Sequence, residues 1–195
     1  MSSQGWVETL VTAQGDGPAL NTFTTIVTML PNAAIYALPA NYFDKPGKML
    51  RQRARGRISS GTSGTFTFST IFGATAVATT PSVWTPGAIV TIVSLTNISF
   101  ELDIDLTCRS IGSGTAATVL GIGRFTSAIL TGGSGGVGTA GGYTQLLPAT
   151  APAVGTGFDS TASVYVNLMV SCSVSLAANL QSDWVTKTLQ KGFVG

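Results

Sequence analysis

Apolar and polar residues alternate along this chain in short runs and do not recur at helical spacing. Residues 98–109, Ile98-Ser99-Phe100-Glu101-Leu102-Asp103-Ile104-Asp105-Leu106-Thr107-Cys108-Arg109, have the strict two-residue period of a strand with one dry face and one wet face. Residues 48–59 repeat the pattern: Leu50, Gln52, Ala54, Gly56 and Ile58 fall on one face and Arg51, Arg53, Arg55 and Arg57 on the other. Further strands are predicted over 6–12, 20–30, 65–72, 89–95, 116–125 (broken or bulged at Gly121 and Gly123), 163–176 and 184–189. Turn chemistry separates them at Pro31-Asn32-Ala33, Asp44-Lys45-Pro46-Gly47, Ser60 to Gly64 and Gly112-Ser113-Gly114. Residues 38–43 read as a turn-like connection, and residues 74–87, with Pro81, Trp84 and Pro86, as a long surface connection. Residues 132–142 are nearly all small and hold one large side chain, Val137, so they add little buried area and read as a loop tip or mobile arm. No stretch carries an amphipathic helix. The expected fold is all-β, an antiparallel β-sandwich or jelly roll with extended termini: a domain over 1–178 and a C-terminal strand or arm over 179–195.

Composition narrows the function. Charged residues make up 9% of the chain, against about 25% in ordinary soluble domains, so copies repel one another little and association is favoured. The net charge of +2 argues against nucleic-acid binding. No run of about 18 apolar residues is present, so no membrane helix is expected, and the first residues lack a secretion signal's pattern. With no signal expected, the Asn97-Ile98-Ser99 sequon carries no weight.

An enzyme is not expected. The chain has no histidine, which removes Ser-His-Asp and Cys-His arrangements. Cys108 and Cys172 are too far apart in sequence to suggest a zinc cluster and read as buried free thiols. Alternate carboxylates on one strand face stand about 6.5–7 Å apart, a spacing that glycosidase pairs use, but no aromatic cleft surrounds Glu101, Asp103 and Asp105. A solvated charged face is the commoner meaning, and no loop adds the oxygens that calcium requires. Gly112 to Ala117 fits G-x-G-x-x-A, yet a strand follows where a dinucleotide site needs a helix. No cofactor or metal is expected.

The arginine row and the acidic row admit two readings. They pair across neighbouring strands of one sheet, each exposed pair contributing about 0.2–1 kcal/mol, or the arginines face a partner protein's carboxylates. Arg109 continues the acidic face.

Two segments carry a resemblance. Leu38-Pro39-Ala40-Asn41-Tyr42-Phe43 leads through Gly47-Lys48 to Leu50-Arg51-Gln52-Arg53-Ala54-Arg55-Gly56. Phe100 to Gly112 then ends in Arg109-Ser110-Ile111-Gly112, followed by Gly121-Ile122-Gly123-Arg124-Phe125. This order, over about residues 36–126, resembles small virion proteins of tailed bacteriophages, with structural and not catalytic motifs. The resemblance implies a jelly-roll-like capsid decoration (cement) protein, assembled in the host cytoplasm and carried on the virion. It would associate with itself, a homotrimer being the natural state on a lattice with local three-fold positions, and with the major capsid protein. Nucleic acid and membrane are not among the expected partners. The alternative is a tail- or fibre-associated protein contacting the host surface or its glycans. A third class, a sugar-binding module, would use exposed Trp6, Trp84 or Tyr143 as stacking platforms. The contact elements expected are the amino-terminal segment, the arginine strand, and the tail after Ala178 with Trp184 and Phe193.

Overall fold

The computed structural model describes residues 7–21, 23–60, 64–90, 95–130, 143–148, 150–173 and 180–190. Trp6, Phe193 and the glycine-rich segment 132–142 lie outside them.

Twelve strands are present among the described residues: β1 (Val7–Ala13), β2 (Val27–Thr28), β3 (Tyr36–Leu38), β4 (Met49–Ser60), β5 (Thr65–Gly73), β6 (Ser82–Trp84), β7 (Ile89–Val90), β8 (Leu95–Ser110), β9 (Thr118–Ser127), β10 (Tyr143–Leu147), β11 (Val164–Cys172) and β12 (Leu180–Gln190). They form two antiparallel sheets. One runs β1-β12-β4-β8-β9-β10; the other runs β2-β11-β5-β6, with β3 also on β11 and β7 also on β5. The connectivity is that of a ribbon folded on itself: β1 pairs β12, β2 and β3 pair β11, β4 pairs β8, and β5 pairs β6 and β7. Rolling the ribbon then adds the ladders β12–β4 and β11–β5. This is a jelly roll, and β9 and β10 extend its first sheet. The fold is thus an all-β antiparallel sandwich, and its first and last described strands, β1 and β12, pair with each other. Residues 180–190 form a strand inside the sheet, between β1 and β4.

The core lies between the sheets. Phe68 of β5 stands against Phe100 of β8 and Phe125 of β9, with ring centroids 6.5 and 5.4 Å away. A second aromatic cluster joins Phe43, Phe72 and Phe158, whose rings lie 4.9–5.7 Å apart. Cys108 and Cys172 are buried free thiols, and burial raises the pKa of the Cys108 thiol. Gln52 reaches across the core to donate to the Thr70 hydroxyl at 3.0 Å.

Three local expectations are corrected. Among the described residues of 20–30 the only strand is β2, and Pro31 with a 3₁₀ turn at Asn32–Ala34 divides it from β3 on their shared partner β11. Phe23 is nevertheless buried, with its ring 6.2 Å from that of Phe66, so apolar content here signals packing and not pairing. Residues 74–87 are not a plain surface connection. β6 pairs with β5 through Thr70↔Trp84 and Ile71↔Ser82, Val83 and Trp84 are buried, and the two prolines flank the strand without interrupting it. Trp84 is therefore no exposed stacking platform. Finally, β9 runs unbroken through Gly121 and Gly123; the register shift falls between Cys108 and Ser110. A Cβ on Gly121 would lie 1.9 Å from Trp84 Cδ1, and one on Gly123 would lie 2.5 Å from the Asp103 carbonyl oxygen, so these glycines admit close neighbours and do not bend the strand.

Candidate functional site

The strict alternation of β4 and β8 dictates the outward face of the first sheet. Their register places Arg51 opposite Asp105, Arg53 opposite Asp103 and Arg55 opposite Glu101. Arg51 donates through Nε and a terminal nitrogen to the two Asp105 oxygens at 2.6 and 2.9 Å. That bond pushes the Arg51 pKa upward. Arg55 donates to Glu101 at 2.6 and 3.1 Å. Arg53 donates through Nε to Asp103 at 2.5 Å and lies 3.9 Å from Glu101. Arg57 stands opposite Ser99 in the ladder and reaches Asp16, 3.9 Å away.

One member was missed from sequence. Arg124 of β9 lies opposite Asp103 and donates to its second oxygen at 2.8 and 3.0 Å. A signal was present: folding the chain about the turn at Gly112-Ser113-Gly114 brings Arg124 opposite Asp103 to within a residue. The glycines beside it weaken the strand pattern and hide the arginine. Asp103 is thus clamped between two guanidinium groups, and its side chain is only 14% exposed. Its burial alone would raise the carboxyl pKa, but the hydrogen bonds and charges of Arg53 and Arg124 outweigh that and hold it below the usual carboxylate value.

Arg109 is exposed and lies at the register shift between Cys108 and Ser110. Trp184 lies opposite Arg55 in the β12–β4 ladder. Beside the ion pairs, Ile122 sits opposite Asp105 and Leu146 of β10 opposite Arg124. These two apolar residues are 50% and 71% exposed. With the arginines and aspartates of that region they line a shallow depression of about 300 Å³.

The segments carrying the phage resemblance meet at one end of the sandwich. Gly47 N–H donates to the Cys108 carbonyl at 2.8 Å, and Cys108 N–H donates to the Lys48 carbonyl at 2.9 Å. Lys48 is 8% exposed; its Nζ donates to the Tyr42 carbonyl, lies 3.3 Å from Asp44 and sits 4.6 Å from the Tyr42 ring centre. Buried Ser160, also missed from sequence, ties the other side. Its carbonyl accepts from Asn41 N–H at 3.0 Å, and its N–H and hydroxyl engage Gly112 at 2.9–3.2 Å. The 38–43 turn, the Gly-Lys pair and the end of β8 therefore form one lock. Lys48→Met is expected to cost about 1–3 kcal/mol, because the Tyr42 carbonyl loses its donor. Thermal unfolding checks this, and an unchanged melting temperature would contradict it.

Charge exchange tests the sheet face. Arg51→Asp alone is expected to destabilise by at most about 1 kcal/mol, and adding Asp105→Arg should recover most of it. The parallel exchange, Arg53→Asp with Asp103→Arg, should recover less, because the new guanidinium at position 103 faces Arg124. Equal recovery in the two double variants, measured by denaturant unfolding, would contradict the clamp.

Two carboxylates with depressed pKa set the acid limb. Asp103 is one. Asp159 is the other, held low chiefly by the Thr161 hydroxyl and also by backbone N–H groups of Gly114, Thr161 and Ala162. A carboxylate whose folded pKa lies below its unfolded value contributes stability above the unfolded value, about 3.9, and loses it as pH falls through the folded value. Melting temperature should therefore drop below about pH 4, and Asp103→Asn should make that drop shallower.

A scan against known protein families finds no match to this chain, and a search of curated proteins finds none significantly similar. No group of three or more potential metal ligands occurs among the described residues.

Proposed function

We propose that this protein is a structural component of a tailed-bacteriophage particle, a capsid decoration protein that binds the assembled head as a homotrimer and stabilises it. What carries the reading is the convergence of the resemblance segments. Residues 38–43, Gly47-Lys48 and the end of β8 build a single hydrogen-bonded lock at one end of a jelly roll. That is how motifs behave when they specify a fold and not a reaction. The low charge content and the ion-paired sheet face also suit a surface made for association. The mechanism is mass action: a subunit that binds only the assembled shell, bridging neighbouring capsid subunits, lowers the free energy of that state by RT ln(1 + [L]/Kd).

The test adds purified protein to heads from a phage lacking its gene. Saturable binding and a higher temperature of genome release are expected. Binding to purified tails and not to heads would favour the tail- or fibre-associated role instead, and binding to neither would remove both.

A further inference from the structure

We propose that the depression between β4, β8, β9 and β10 docks an extended segment of a partner protein that presents a carboxylate beside a branched apolar side chain. Three observations meet there. The depression holds three guanidinium groups, from Arg51, Arg53 and Arg124, against two carboxylates, from Asp103 and Asp105, and so keeps an excess of one positive charge. The guanidinium groups are already positioned: Arg53 is fixed on Asp103 through Nε alone, so its terminal nitrogens are not consumed by that bond, and Arg124 is fixed on the other Asp103 oxygen. An arginine held in place by a carboxylate loses less side-chain freedom when it accepts a second partner. Ile122 and Leu146 complete the wall, two of six large apolar residues exposed among the described ones, and both on this face.

The combination selects a ligand. An excess of one charge is small for a phosphate backbone, which calls for a broad basic field, and the apolar wall offers such a backbone nothing. A carboxylate two residues from a valine, leucine or isoleucine, on the same face of an extended segment, satisfies both halves: a charge-assisted hydrogen bond to the arginines and burial of Ile122 and Leu146. The inference rests on the proposed structural role only for the source of the segment, a neighbouring protein of the shell.

The test uses the full chain and three probes: a short capped extended peptide with glutamate and valine two residues apart and threonine between them, so that both face the same way, its glutamine counterpart, and a single-stranded oligonucleotide, each followed by amide chemical shifts. The glutamate peptide should perturb residues 51–53, 103–105, 122–124 and 146, and the glutamine peptide should bind about tenfold more weakly, the loss of one charge-assisted contact. Arg124→Gln, and separately Ile122→Ser with Leu146→Ser, should each weaken the glutamate peptide; these are exposed positions whose replacement spares the core. Equal binding of the two peptides, shifts elsewhere, no binding, or tighter binding of the oligonucleotide would overturn the proposal. The Ile122→Ser, Leu146→Ser chain on particles separates the two claims. If the unaltered protein binds heads and the variant binds equally well, the docking site fails and the structural role stands. If the peptide maps to the depression but no particle is bound, the docking site stands and the structural role fails.

Discussion

Replacing Phe68 with alanine is expected to destabilise the protein by about 3–5 kcal/mol, a large share of the roughly 5–15 kcal/mol that holds a domain folded. Phe68 is fully buried on β5 in one sheet, and its ring packs on Phe100 and Phe125 from β8 and β9 in the other. Removing it forfeits the transfer free energy of the ring and leaves a cavity that two hydrogen-bonded sheets close only partly. The three rings also contact one another, Phe100 and Phe125 at 5.8 Å, so the loss includes aromatic pair terms on both sides. The effect appears as a lower denaturant midpoint with little change in slope. A loss under about 1 kcal/mol, the range of an exposed position, would mean that the sheets are not joined through this ring.

Gly155→Ala is expected to cost about 1–3 kcal/mol or more, by a different route. Its Cβ would lie 1.8 Å from the Val83 carbonyl oxygen and 2.3 Å from the carbonyl carbon, and these are backbone atoms that cannot rotate aside. Gly155 belongs to a segment that closes one side of the sandwich. Gly155 N–H donates to Val119 at 3.2 Å, Thr156 N–H to Ser82 at 3.2 Å, and Phe158 exchanges two bonds with Ala117 at 2.9 and 3.1 Å. The segment thus links β9 in the first sheet to β6 in the second. Moving it away from Val83 strains those bonds and loosens Phe158, a member of the second aromatic cluster. The melting temperature should fall by roughly 2–4 °C per kcal/mol in a domain of this size. Gly15→Ala is the control: its Cβ would meet nothing within 4 Å, so a change within about 0.5 kcal/mol is expected. Equal effects from the two substitutions would contradict the close approach at Val83.

The two predictions draw on features of different legibility. β4 and β8 were readable because each alternates through at least ten residues, and a two-residue period fixes both strand and face. That same period revealed the rows of Arg51, Arg53 and Arg55 against Asp105, Asp103 and Glu101, although not their register. β3 and β6 are three residues long, too short for any period, and each exists as strand because β11 or β5 offers a free edge. Trp84 looked like part of an open connection because its burial depends on Gly121, nearly forty residues away on another strand. The burial of Lys48 and of Ser160 was hidden for a related reason. A lysine and a serine are surface residues by default, and only the meeting of three distant segments gives them buried partners. Arg124 was hidden by the glycines that make room for its neighbours.

The central claim is a role on the phage head, and the copy number of this protein in purified particles tests it most directly. Quantitative mass spectrometry against the major capsid protein gives that ratio without any assumption about which surface binds. A decoration protein on a capsid lattice is expected on the order of hundreds of copies per particle, in fixed proportion to the major capsid protein. A few copies to some tens, following the tail proteins, or none at all, would contradict it.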